Sequence, residues 1–108
     1  MNNGKQIARE FLSYIDSVHE DVPIDHNSWH SCAVGIFSSQ SGHGLDSVKE
    51  ACKEIKVDAY VIEEDMEICS LNDFLGECSL SYIQNRCPTY GDLQDFIEIN
   101  VDMSSLED

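Results

Sequence analysis

Three side chains that bind zinc or act as nucleophiles crowd into seven residues: His26, His30 and Cys32. A protein zinc site takes about four ligands in a tetrahedral array, usually in paired short spacings. His26 and His30 stand at i, i+4, but Asn27 or Ser28 reads as the cap of the helix that follows, which leaves His26 ahead of it. Within that helix Cys32 points away from His30, and no second Cys/His cluster completes a ligand set. As a nucleophile, Cys32 would need a lowered thiol pKa and a neighbouring base. A helix N-terminus lowers the pKa, yet spacing brings neither His19 nor His43 beside it. These residues read as exposed histidines next to a core cysteine, so no catalytic residue, metal ligand or cofactor is assigned. A Cys/His-dependent metal or thiol protein stays as the third reading.

Carboxylates are the other group able to do chemistry. Glu63, Glu64, Asp65 and Glu67 form a cation-attracting run. Its spacing does not match the calcium loop D-x-[DN]-x-[DN]-G. The chain also has no G-x-x-x-x-G-K-[ST], G-x-G-x-x-G, G-x-S-x-G or H-E-x-x-H. A non-enzymatic protein is the expectation.

The charge balance narrows the partner. The 108 residues carry 21 acids against 6 bases, a net charge of −15. Residues 1–57 hold 8 acids and 5 bases, whereas residues 58–108 hold 13 acids and a single base, Arg86. Direct binding to a phosphate backbone needs clustered Lys and Arg, so nucleic acid and anionic membranes are disfavoured. A basic protein surface remains, with Glu63, Glu64, Asp65, Glu67, Asp73, Asp92, Asp95 and Glu98 as the residues expected to meet it.

The 5 cysteines are odd in number and lack a C-x-x-C pair, which is not the pattern of a secreted disulfide scaffold. The first twenty residues mix charges into their apolar positions, unlike a signal peptide. No apolar run approaches the ~18 residues of a transmembrane helix. A reducing cytoplasm is the expected setting, and that of the host if the protein is phage-encoded.

The elements that must position these residues follow from periodicity. Ile7, Phe11, Tyr14, Ile15 and Val18 make one apolar stripe and predict a helix over 4–20, closed by Asp21-Val22-Pro23. In SWHSCAVGIF, residues 28–37, Trp29, Cys32, Ala33, Ile36 and Phe37 fall on one helical face, although CAVGIF also reads as a buried strand. Gly35 costs a helix about 1 kcal/mol relative to Ala, which suits close packing or the strand alternative. Residues 38–44, SSQSGHG, read as a flexible loop. LDSVKEACKEIK reads as a helix with Leu45, Val48, Cys52 and Ile55 inward and Glu50–Lys53 paired outside.

VDAYVI, residues 57–62, is a short strand by its β-branched content. Glu63, Glu64 and Asp65 suit the start of a helix, where the dipole favours negative charge, with Met66, Cys69 and also Ile68 as the inward candidates. Ser70-Leu71-Asn72-Asp73 has the form of a cap for a further helix. Thr89 with Asp92 has the shape of a capping box, followed by Leu93, Phe96 and Ile97 as an apolar stripe. IEINVDM, residues 97–103, alternates and reads also as an edge strand, and 104–108 as a frayed acidic tail.

The segment Trp29-His30-Ser31-Cys32-Ala33-Val34-Gly35 has the form W-x-x-C-A-x-G and resembles a segment of small helical proteins of phages and other mobile elements. In those a helix follows, and a short T-x-x-[DE]-L-type helix closes the chain; TYGDLQDFI, residues 89–97, is similar to it. The resemblance implies a helical fold and a phage setting and carries over no catalytic residue. In character the chain is similar to acidic anti-CRISPR and anti-restriction inhibitors, which act as DNA mimics. The joint expectation is a mostly α single domain over 1–108, a bundle of about four to five helices, with α+β (strands near 31–37, 57–62 and 97–103) as the alternative. Its expected function is an inhibitor that blocks a basic nucleic-acid-binding surface of a host defence protein. The alternative function is an acidic accessory or adaptor protein that meets its partner through apolar surface.

Overall fold

A computed structural model describes residues 3–27, 31–63, 66–76, 80–101 and 103–106. Among them the order is α1 (Asn3–Ser17), α2 (Ala33–Ser41), α3 (Leu45–Lys53), β1 (Lys56–Glu63), β2 (Met66–Ser70), α4 (Leu71–Gly76), α5 (Leu80–Arg86) and α6 (Tyr90–Asn100), closed by a 3-10 turn, Met103–Leu106. The fold is mostly α. The one β element among these residues is an antiparallel pair, β1 with β2, in which Val61 faces Ile68 and Glu63 faces Met66.

α1 buries Ala8, Phe11, Leu12 and Ile15, one stripe at i, i+3, i+4 and i+7. It lies on α3, which turns Val48, Ala51 and Cys52 inward. Phe11 and Tyr14 then meet Phe37 of α2, with ring centroids 5.4 and 5.6 Å away. On the other side of the core, Phe74 of α4 stacks on Phe96 of α6 at 4.0 Å, and the Arg86 guanidinium lies 5.6 Å from the Phe96 ring centroid. Offset stacking and a cation over the ring face both add to the area that Phe96 buries.

Several elements differ from the sequence expectation. α2 starts at Ala33, with Cys32 in extended conformation as its N-cap and no side chain capping it. Trp29 and His30 lie outside the described residues. The apolar content of 32–37 is nearly complete, so Val34 and Gly35 are buried as well, and it is Ile36 that is half-buried. The helix also runs through Ser38–Ser41, expected as loop, and stops at Gly42. There φ is +82°, a left-handed value that only glycine takes without strain, and the Gly42 N–H donates to the Ser38 carbonyl at 3.2 Å.

The larger correction concerns 63–70. Glu63 ends a strand and does not open a helix, because Met66–Ser70 pairs back along β1. Strand alternation then replaces helical spacing: Ile68 and Ser70 are buried and Cys69, expected inward, is exposed. The Ser70 cap holds: its Oγ accepts from the Asp73 N–H at 3.3 Å. α1 ends at Ser17, short of residue 20. Residues 97–100 stay helical, and Val101 alone bridges Val57. The expected frayed end is instead docked at least to Leu106. That side chain is buried and its carbonyl accepts from Arg9 Nη1.

Candidate partner-binding face

The end of α1 and the start of α6 are joined by backbone. The Tyr90 N–H donates to the Val22 carbonyl and the Gly91 N–H to the Glu20 carbonyl, both at 2.9 Å, and the Ile24 N–H donates to the Pro88 carbonyl at 2.9 Å. Two of the donors that a helix start leaves open are thus taken by residues 20–22, and Thr89 Oγ1 accepts a third from the Asp92 N–H. The approach is close. A Cβ on Gly91 would lie 2.8 Å from Glu20 Cβ and 2.9 Å from its carbonyl oxygen, so the contact requires glycine.

Gln94 completes the joint. Its Nε2 donates to the carbonyls of Ile15 at 2.8 Å and Val18 at 2.9 Å, so α6 caps the C-terminal end of α1. The Ile15 carbonyl, among the last of α1, is thereby satisfied by a side chain from elsewhere in the fold, together with the Val18 N–H.

Two depressions adjoin at this corner. One, of about 360 Å³, is lined by Leu12, Asp16, Gln94, Asp95, Ile97 and Glu98. The other, of about 230 Å³, is lined by Glu20, Asp21, Thr89, Gly91, Asp92, Gln94 and Asp95. Among the described residues, six carboxylates surround the pair and no Lys or Arg lines either. The α1 dipole adds to the negative potential, since Asp16 sits in the last turn, where the helix end is itself negative.

No family model matches the chain, and neither curated proteins nor solved structures yield a match.

Of the carboxylates expected to bind a partner, Asp92, Asp95 and Glu98 come together at this corner. Glu63 and Glu67 belong to the distal end of the β1–β2 pair, and Glu64 and Asp65 lie outside the described residues. Asp73 lines neither depression; its Oδ2 accepts from the Cys69 N–H at 3.2 Å at the start of α4. Sequence reasoning missed Asp16, Glu20 and Asp21, which stand in the half of the chain with the milder charge balance. The available signal was Asp16 at the wrong end of a helix for its dipole.

His26, His43 and the thiols are engaged elsewhere, whereas His19 stands at the corner itself, with its Nδ1 3.8 Å from Asp21 Oδ2. His26 Nε2 donates to the Cys87 carbonyl at 2.8 Å, and its N–H donates to Gln84 Oε1. His43 Nε2 lies 3.5 Å from Glu10, and His19 Nδ1 accepts from the Asp21 N–H. None of these contacts involves Cys32, which is buried at the start of α2. Burial pushes the Cys52 thiol well up, with Cys32 adding to the effect, so Cys52 stays protonated and inert. Burial likewise pushes Tyr90 up, helped by its hydroxyl contact with Tyr14 at 3.1 Å. Among the described residues no group of three or more His, Cys, Asp or Glu is placed to hold a metal ion, and no helix is long and apolar enough to cross a membrane.

Proposed function

We propose that the protein is a non-enzymatic acidic binding protein that occupies a basic, nucleic-acid-binding surface of a partner protein. It would do so in the manner of a phage or mobile-element inhibitor of a host defence system. The observation that carries this reading is the convergence of Asp16, Glu20, Asp21, Asp92, Asp95 and Glu98 on two adjoining depressions with no cation in their lining.

The physical logic is substitution of carboxylates for phosphates. A groove shaped for nucleic acid presents Lys and Arg, and a rigid acidic face attracts it over long range and raises the association rate at low salt. Rigidity matters because carboxylates fixed in advance lose less freedom on binding. The backbone pairing of 20–24 with 88–91 and the Gln94 cap supply that fixation.

The test begins with capture of the partner from a host lysate by the tagged full chain, and its identification by mass spectrometry. The purified partner is then loaded with fluorescently labelled DNA or RNA, and the protein is titrated in. Displacement of the nucleic acid is the expected result. A ternary complex, with nucleic acid still bound at saturating protein, would contradict the proposal.

A further inference from the structure

The α6 face carries more than charge. Ile99 is 77% exposed, the most exposed large apolar side chain among the described residues. The deeper depression has Leu12 and Ile97 in its lining beside the carboxylates. Helical spacing puts Asp95 one turn from Ile99, and Glu98 between the groove side and the outer side of α6. A ridge of Asp95 and Glu98 thus runs between two apolar positions, Ile97 within the groove and Ile99 outside it. Ile97 packs in part against the core, whereas Ile99 does not, and protein interfaces combine an apolar centre with a charged rim.

We infer that this face takes a cationic amphipathic segment of the partner, with apolar side chains against Ile99 and the Leu12–Ile97 side of the groove. Its Lys or Arg groups meet Asp16, Asp95 and Glu98. Charge complementarity selects this occupant: a second copy of the chain would bring another −15 to the same place. The inference rests on the acidic-binding reading above and narrows it from a charged surface to an amphipathic one.

Two synthetic helical peptides test it against the full ¹⁵N-labelled chain. Both carry arginines along a central stripe; one carries leucines flanking that stripe on either side and the other serines. The leucine peptide should bind about tenfold more tightly, the gain from burying about one large apolar side chain. Its chemical-shift changes should centre on Leu12 and on Gln94 to Ile99. Ile99→Ser should reduce the preference while leaving thermal unfolding unchanged. Equal binding of the two peptides, or a preference undiminished by Ile99→Ser, overturns the inference but leaves the acidic-binding reading standing. Failure of both peptides to bind at low salt overturns both.

Discussion

On α3, Asp46 stands in the first turn and Lys53 in the last, and Lys53 Nζ lies 2.9 Å from Glu50 Oε1. Each of these charges favours the helix that carries it. α1 is built the other way. Its first turn has no acid and holds Lys5, and its last turn has no base and holds Asp16. Glu20 and Asp21 follow, and α6 then brings Asp92, Asp95 and Glu98 to the same corner. The difference separates charge placed for stability from charge placed against it. Repulsion is gathered there at a joint held by backbone hydrogen bonds and a close glycine contact, the arrangement on which the proposed binding role rests.

The comparison can be broken most severely through Phe96. It is 3% exposed and stacked on Phe74, and it ties α6 to the core. Phe96→Ala should cost about 3–5 kcal/mol in urea unfolding. Loss of α6 removes the acidic corner with it. Gly91→Ala attacks the joint itself. The new methyl meets Glu20 Cβ and carbonyl, so a loss of about 1–3 kcal/mol is expected from forced displacement, with weaker partner binding.

Smaller changes sharpen the contrast by sign. Asp16→Asn should raise stability by about 0.3–1 kcal/mol, because it removes a negative charge from a helix C-terminus, and should weaken partner binding at the same time. Lys53→Gln on α3 should lower stability by about 0.3–1 kcal/mol, because it loses both the Glu50 pair and the positive charge in the last turn, and should leave binding unchanged. Thermal denaturation and titration calorimetry on the same samples check both signs.

The helices at 3–17, 45–53 and 90–100 were legible because each carries a clean apolar stripe, and Thr89 announced its cap. VDAYVI announced a strand by its β-branched residues. Residues 63–67 misled because a run of acids suits both a helix start and the end of a strand pair; pairing with β1 decides between them, and local sequence does not carry that information. Residues 104–108 read as a tail because Leu106 gains its burial from distant α1. Half of the acidic corner was legible for the same kind of reason. Asp92, Asp95 and Glu98 stood in the acidic half of the chain. Asp16, Glu20 and Asp21 join them only through pairing of 20–24 with 88–91, a contact between residues some seventy positions apart.

The most direct test of the central claim is the salt dependence of partner affinity for the wild type and for the triple variant Asp16→Asn, Asp95→Asn, Glu98→Gln. Calorimetry at several ionic strengths between about 50 and about 300 mM spans the range over which exposed charges become screened. Wild-type affinity should fall steeply. The triple variant should bind at least about tenfold more weakly at low salt, follow a flatter line, and converge with wild type at high salt. Parallel lines of equal slope, or a triple variant that binds as well as wild type at low salt, would contradict the account.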